Sequence, residues 1–224
     1  MIELQSASFS YGDRPVLNQV SLKLAPGSLH FLTGPSGAGK TTFLKLLYLG
    51  LRPTSGKVRL FGRDSDKIGR RDAAAMRRRM GVVLQDCDLL DHMNVFENIG
   101  LPLRIAGTKT PDLDGDLREL AQWVGLGHRM EALPPELSTG ERQRAAIARA
   151  VVNSPELVIA DEPTGNVDAA AADRIMQLFV ELNRLGKTVL IATHDLNLMR
   201  SAQGLDAYVL RIDKGRLERS GSPL

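Results

Sequence analysis

The sequence Gly34-Pro35-Ser36-Gly37-Ala38-Gly39-Lys40-Thr41 decides the fold of this 224-residue chain. It matches the pattern G-x-x-x-x-G-K-[ST], in which a Gly-rich loop binds phosphate groups. The apolar run 29–33 precedes the loop, and an apolar helical pattern over residues 43–47 follows it. Because the pattern needs a buried strand before the loop and a helix after it, this context predicts a nucleotide-binding core. The alternative is a Gly-rich turn that happens to precede a helix.

The chemistry of the loop predicts ATP and Mg²⁺ as ligands. Glycines let the backbone wrap closely, so that successive N–H groups point at phosphate oxygens, and the helix N-terminus adds partial positive charge. Lys40 is expected to reach the β and γ phosphates, and Thr41 to offer its hydroxyl to a Mg²⁺ ion that bridges them. The predicted nucleotide contacts in this segment are Gly34, Pro35, Ser36, Gly37, Ala38, Gly39, Lys40, Thr41 and Thr42.

Two adjacent acids follow the apolar run 157–160 and predict the second half of the site. Carboxylates at the end of a buried strand are costly unless a cation lies nearby, and Mg²⁺ is the expected cation. Asp161 is predicted to hold the metal through water, and Glu162 to polarise the water that attacks the γ-phosphate. The alternative is a pair of helix-capping acids ahead of Pro163.

Length and composition limit the class of protein. A chain of 24.4 kDa with 43% hydrophobic and 25% charged residues predicts one globular domain with an inserted subdomain. Apolar runs fall well short of the roughly 20 residues that span a bilayer, no signal peptide is visible, and Cys87 is the only cysteine. These features predict a cytoplasmic protein without direct membrane insertion.

The net charge of +3 is only mildly basic, so no nucleic-acid partner is expected. Positive charge is concentrated in a short region that contains Arg70, Arg71, Arg77, Arg78 and Arg79. That region fits either a solvated helix face or a contact with anionic lipid or nucleic acid.

The order of strand and helix patterns predicts an α/β fold with a mostly parallel sheet and an N-terminal antiparallel β region. Apolar residues alternate near the start of the chain, and the runs 157–160 and 188–192 are wholly apolar, as in central parallel strands. Between about residues 87 and 155 helical patterns replace strands. We therefore predict one domain over 1–224, with an α/β core at 1–86 and 156–224 and a helical subdomain at about 87–155.

The segment Leu137-Ser138-Thr139-Gly140-Glu141-Arg142-Gln143-Arg144 resembles the signature motif of ABC ATPases, usually written LSGGQ. Other motifs of that family occur in the expected order, namely Tyr11, Gln85, the stretch 165–168 that ends at Asp168, and His194. The segment departs from the common pattern at Thr139 and Glu141. Ser138 and Glu141 also have the spacing of a helix capping box, and both interpretations can hold together.

The resemblance implies a role for each of these residues. Tyr11 would stack on adenine, although an aromatic residue there could equally belong to the core or the surface. Gln85 would contact Mg²⁺ and the attacking water, or could simply close a strand. His194 would contact the γ-phosphate, or be structural. Asp168 would lie at the dimer contact, or cap a helix. In an ATP-dependent homodimer, Ser138 and Gly140 would bind the nucleotide of the other subunit.

Within the family, the stretches 85–103, 163–166 and 192–198 resemble the branch that contains the ATPases of cell division, lipoprotein release and macrolide export, with the cell-division group favoured. This resemblance implies an integral membrane partner of the FtsX type and control of peptidoglycan hydrolysis, with no transported substrate. Leu89, Leu90, Met93 and Phe96 could accept a helix of that partner or form subdomain core.

Three alternatives differ in function. The first is the ATPase subunit of a lipoprotein-release or macrolide-type exporter. The second is a non-hydrolysing nucleotide-dependent scaffold. Such a protein would lack the carboxylate or the histidine, yet Glu162 and His194 are both present. The third is an ABC ATPase of the DNA-repair type, which would carry a long coiled coil, and no sustained heptad pattern is present.

Overall fold

The structure is a computed structural model that describes residues 1–108, 111–195, 199 and 206–219. It consists of two β-sheets and the helices that cover them. The stretch 196–198, which contributes to the resemblance to cell-division ATPases, lies outside the described residues. The strands are β1 Ile2–Tyr11, β2 Arg14–Leu24, β3 Leu29–Thr33, β4 Ser55–Leu60, β5 Arg63–Asp64, β6 Met80–Val83, β7 Leu157–Asp161, β8 Thr188–Ala192, β9 Ala207–Asp213 and β10 Arg216–Arg219. The α-helices are α1 Lys40–Leu47, α2 Arg70–Arg77, α3 Val95–Ala106, α4 Leu113–Trp123, α5 Thr139–Val151 and α6 Ala169–Arg184.

The first sheet is antiparallel, with strand order β2-β1-β4-β5. Ile2 of β1 pairs with Leu24 of β2 on one side and with Leu60 of β4 on the other, and all three are fully buried. Apolar and polar residues alternate along β1, as expected for a sheet with one face against the core.

The second sheet has six strands in the order β10-β9-β3-β8-β7-β6, and all of its pairings are parallel except that of β9 with β10. Every residue of β7 and β8 is buried, because helices or the first sheet cover both faces. Along β7, Val158 and Ala160 pack into one apolar cluster with α3–α6, whereas Leu157 and Ile159 pack into a second cluster with α1 and the first sheet.

The predicted fold class is therefore confirmed, including the antiparallel β region and the helical insertion. Helices α3, α4 and α5 lie between β6 and β7 in the sequence, and α5 packs against both α3 and β6. Because α5 joins the helical segment to the sheet, the exact limits of the helical subdomain stay a prediction. Among the described residues, no helix combines the length and the apolar character needed to cross a membrane.

Candidate functional site

The loop between β3 and α1 adopts a conformation that requires glycine at two positions. Gly34 has a φ of 145°, and a Cβ atom there would collide with the backbone oxygen of Ile212. Gly39, directly before α1, has a φ of 106°, and its Cβ would lie 3.1 Å from the side chain of Leu17. Both conformations are ones that residues with a side chain rarely adopt. The motif glycines thus follow from backbone geometry as well as from phosphate binding.

The N-terminus of α1 carries the features of an anion-binding end. Among the described residues, no side chain caps this helix, and its first turn contains no acidic residue. The first N–H groups of the helix and its dipole therefore face the loop without a competing negative charge from the helix itself.

Lys40 joins the loop to the acid pair. Its Nζ donates a hydrogen bond of 2.8 Å to the carbonyl oxygen of Gly34 and lies 3.8 Å from Oε1 of Glu162. The Lys40 and Glu162 side chains are only 11% and 13% exposed, so solvent screens this pair weakly. The ammonium group is thus held between the loop and the acid that follows β7.

Asp161 and Thr41 meet across the site. Thr41 Oγ1 donates a hydrogen bond of 2.8 Å to Oδ2 of Asp161, the last residue of β7. Burial raises the pKa of Asp161; the hydrogen bond from Thr41 opposes this shift, and the charge of Glu162 adds to it. A hydroxyl and a carboxylate at this distance provide the hard oxygen ligands that Mg²⁺ prefers.

Glu162 occupies a strained backbone conformation next to His194. Its φ is 47°, and its N–H donates to the carbonyl oxygen of Ala192 at the end of β8. Oε2 of Glu162 lies 2.9 Å from Nδ1 of His194, two residues beyond β8. The carboxyl ends of two neighbouring parallel strands therefore bring the acid and the histidine together, although 32 positions separate them in the sequence.

A cavity of about 470 Å³ opens in front of these groups, a volume within the range of small-molecule sites. It is lined by Tyr11, Arg14, Val16, Ser36, Gly37, Gly39, Lys40, Thr41, Thr42, Gln85, Asp161 and Glu162. The structure thus collects residues of the loop, the acid pair, Tyr11 and Gln85 at one place, with His194 in contact through Glu162. Within the described chain, Ser138, Gly140 and Asp168 do not line this cavity.

The rim of the cavity includes one cation that sequence reasoning missed. Tyr11, which is 49% exposed, contacts Phe9 edge to face and pairs across the β1–β2 hairpin with Arg14. This register places the Arg14 side chain at the mouth of the cavity. The signal available in the sequence was a cation just after the turn that follows Tyr11.

The loop after Gln85 is fixed to α5 by contacts that the sequence did not reveal. Cys87 and Asp88 have positive φ values of 63° and 46°. Arg149 donates hydrogen bonds of 2.6 and 2.7 Å to their carbonyl oxygens, and Cys87 Sγ donates to Oε1 of Gln143 at 2.7 Å. Burial raises the pKa of Cys87 to about 11 and lowers that of Arg149. The strained turn beside the cavity is therefore held by the helix that begins just after Ser138.

Ser138 and Asp168 cap neighbouring helices. Ser138 forms a capping box with Glu141 at the start of α5, and the pKa of Glu141 is lowered, chiefly by the hydrogen bond from the Ser138 backbone N–H. Asp168 accepts a hydrogen bond of 2.8 Å from the N–H of Ala171 at the start of α6. A Cβ on Gly140 would lie 3.1 Å from Ala171, so the two helix starts are in close contact. Ser138 and Asp168 therefore both act as helix caps, as one of the two interpretations of each residue predicts.

A strand, a phosphate-binding loop and a helix, with an acid pair at the carboxyl end of another parallel strand of the same sheet, define a P-loop NTPase. The family profile described as "ABC transporter" matches residues 17–165, and the chain belongs to this family. It is therefore an ATP-binding protein and an ATPase.

Relatives named "Cell division ATP-binding protein FtsE" resemble most of the chain. The protein from Escherichia coli (strain K12) is 44% identical over 200 residues, which cover 89% of this chain and 90% of that protein. The protein from Mycobacterium tuberculosis is 40% identical over 221 residues, or 98% and 95% of the two chains. The protein from Streptococcus pneumoniae serotype 2 is 38% identical over 223 residues, or 99% and 96%.

Solved structures of ABC cassettes share the fold. A dimeric ATP-binding cassette in a post-hydrolysis state, bound to ADP and Pi, aligns with a TM-score of 0.88 and 30% identity. The dimeric structure of a bacterial ABC transporter cassette aligns with a TM-score of 0.89 and 31% identity. Each alignment covers 99% of this chain and 98% of the other. The chain is thus an FtsE-like ABC ATPase.

Proposed function

We propose that this chain hydrolyses ATP as a homodimer in which each nucleotide lies between the loop of one subunit and the Ser138 surface of the other. This proposal rests on the observation that the two predicted parts of the nucleotide site lie apart within one chain. Residues of the loop and the acid pair line the cavity, and His194 contacts Glu162, whereas Ser138 and Gly140 at the start of α5 do not line the cavity. The two solved ABC cassettes that share the fold are both dimeric structures.

The start of α5 suits the γ-phosphate of a nucleotide held by a second copy. Ser138 is exposed, and its capping box leaves other first-turn N–H groups and the positive end of the helix dipole for an anion. Asp168 caps the adjacent α6, is also exposed, and would lie at the dimer contact. Closure then adds phosphate contacts that the monomer lacks, and hydrolysis removes them.

The donor set of the cavity fits Mg²⁺. Thr41 Oγ1 and Asp161 Oδ2 lie 2.8 Å apart, and Gln85 lines the same cavity. Among the described residues, no group of three or more His, Cys, Asp or Glu could form a complete metal cage. That arrangement agrees with an ion that binds together with nucleotide phosphates and few protein groups. Bound there, Mg²⁺ would neutralise charge on the β and γ phosphates.

The protein groups have distinct roles in this proposal. Lys40 leaves its bond to Gly34 and binds the β and γ phosphates. Glu162 accepts the proton of the attacking water, and His194, held by the same carboxylate, contacts the γ-phosphate. Tyr11 stacks on adenine at the mouth of the cavity.

The direct test of the base is Glu162→Gln. This variant should bind ATP, lose turnover by at least about a hundredfold, and elute as an ATP-bound dimer in gel filtration. Normal turnover in the variant would show that Glu162 is not the base.

A mixing experiment tests the shared site. Lys40→Ala removes the phosphate contact within one subunit, and Ser138→Asp places a negative charge where the partner's γ-phosphate should bind. Each variant alone should be inactive. In a mixture, the heterodimer contains one intact site, so activity should return in part. If the mixture stays inactive although the two variants associate, the shared site is wrong.

We further infer a role in cell division on the cytoplasmic face of the inner membrane, with an FtsX-like membrane protein as partner and peptidoglycan hydrolysis as the controlled process. The names of the relatives support this inference. Leu89, Leu90, Met93 and Phe96 are all half-buried. Leu89 and Phe96 pack against the main apolar cluster. Asn98 donates to the carbonyl oxygens of Leu90 and Met93, which fixes the loop that would meet the partner.

Co-purification from membranes tests the partner. Recovery of an FtsX-like protein, and its loss in Leu90→Asp with retained ATP binding, would support the assignment. Recovery of a lipoprotein-release permease in its place would favour the exporter alternative.

A further inference from the structure

A second cavity, of about 540 Å³, lies between the end of α4, α5 and α6. Trp123 comes from α4, Arg144 from α5, and Arg174 and Glu181 from α6. It shares no lining residue with the nucleotide cavity. This cavity is therefore a separate place at which the helical segment meets α6.

Two arginines in its wall have unmet binding capacity. In the part of the chain that the structure describes, neither Arg144 nor Arg174 has a hydrogen-bond acceptor or an ion-pair partner. Burial, followed by the charge of Arg174, lowers the pKa of Arg144, and the charge of Glu141 partly opposes this shift. Arg144 is half-buried and Arg174 is exposed, and an anion bound between the two guanidinium groups would offset their mutual repulsion.

The two acids of the cavity, Glu141 and Glu181, already accept hydrogen bonds from other residues. Glu141 accepts hydrogen bonds from the backbone and side chain of Ser138 and lies 3.6 Å from Nε of Arg129. Glu181 Oε2 accepts a hydrogen bond of 2.9 Å from Nε1 of Trp123. His128 also lines the cavity. The arginines therefore remain available to a ligand.

We infer that this cavity binds an oxyanion of the phosphate class, either inorganic phosphate or a phosphate monoester, between Arg144 and Arg174. Guanidinium groups bind such anions through paired, charge-assisted hydrogen bonds. The bound anion joins α5 to α6. Binding of the anion does not depend on the proposed function. An effect of the bound anion on ATP turnover would depend on it, because α5 begins beside Ser138.

Trp123 provides the readout, since it is the only tryptophan of the chain. Inorganic phosphate is titrated at constant ionic strength against Trp123 fluorescence, in a Lys40→Ala background that weakens phosphate binding at the loop. We expect a saturable change in emission.

Arg174→Gln should weaken binding at least about tenfold, because one charged hydrogen-bond donor is lost. Arg174→Lys should give an intermediate affinity. Arg184→Gln, on the same helix but outside the cavity, should match the parent.

A parallel titration with glycerol phosphate distinguishes the two sources of the anion. If glycerol phosphate binds more tightly than inorganic phosphate, the ligand is a phosphate monoester. Calorimetry repeats each titration independently of the fluorophore. The inference is overturned if Arg174→Gln binds phosphate as tightly as the parent, if chloride reproduces the emission change, or if neither method detects saturation. Absence of ATP turnover in the wild-type protein would contradict the proposed function and leave the phosphate-binding result unaffected.

Discussion

Thr41 and Asp161 are 120 positions apart in the sequence, yet a hydrogen bond of 2.8 Å joins Thr41 Oγ1 to Asp161 Oδ2. Thr41 lies in the first turn of α1 and Asp161 ends β7, so their contact depends on the position of the loop relative to the carboxyl edge of the sheet. Because Asp161 is 7% exposed and its pKa is raised by burial, the protein holds a carboxylate that would be more stable in water.

Asp161→Asn should therefore stabilise the nucleotide-free protein while it abolishes Mg²⁺-dependent turnover. A raised pKa in the folded state means that ionisation costs stability at pH above the unfolded value, and that the cost disappears once both states are protonated. We expect the melting temperature of the variant to exceed that of the wild type by about 2–4 °C at pH 7.5. The gain should shrink as pH falls through the raised folded-state pKa of Asp161 and vanish below the ordinary pKa of Asp. A lower melting temperature at pH 7.5 would contradict this account.

Ser138 can be tested separately as a helix cap and as a phosphate ligand. Ser138→Ala removes the capping oxygen and should cost about 1 kcal/mol in the free energy of unfolding. Ser138→Asp retains a capping oxygen but places a second carboxylate beside Glu141, which accepts the Ser138 hydroxyl in the wild type, so its stability should also fall by about 1 kcal/mol. Its charge should in addition repel the partner's γ-phosphate and abolish turnover, whereas Ser138→Ala, at similar stability, should retain more activity. Chemical denaturation and an ATPase assay measure the two effects. If Ser138→Asp turns over ATP normally, the residue acts only as a cap.

Arg149 should stabilise the loop that follows Gln85. Arg149→Met leaves two carbonyl oxygens, those of Cys87 and Asp88, without their donor beside a strained turn. We expect a loss of about 2–4 kcal/mol in the free energy of unfolding. Arg104→Met, at an exposed position near the end of α3, is the control and should change stability little. Equal stability of the two variants would show that the contacts with Arg149 do not hold the loop.

Cys87 should react slowly with thiol reagents. Its pKa of about 11 keeps it protonated at neutral pH, and its Sγ donates to Gln143 in the interior. Because it is the only cysteine, the rate of labelling reports on this residue alone. We expect labelling at least about a hundredfold slower than for an unfolded control, given the raised pKa and the burial. Rapid labelling of the folded protein at pH 7.5 would contradict the buried contact.

The sequence by itself determined the P-loop, the acid pair and the capping box, because the residues of each motif lie within at most eight consecutive positions. It also determined the α/β class, since alternating and continuous apolar runs report directly on half-buried and fully buried strands. Tertiary structure alone decided which distant residues meet. The contacts of Glu162 with His194, of Arg14 with the cavity mouth and of Arg149 with the Cys87 turn depend on strand order and on the packing of α5, which leave no local pattern in the chain.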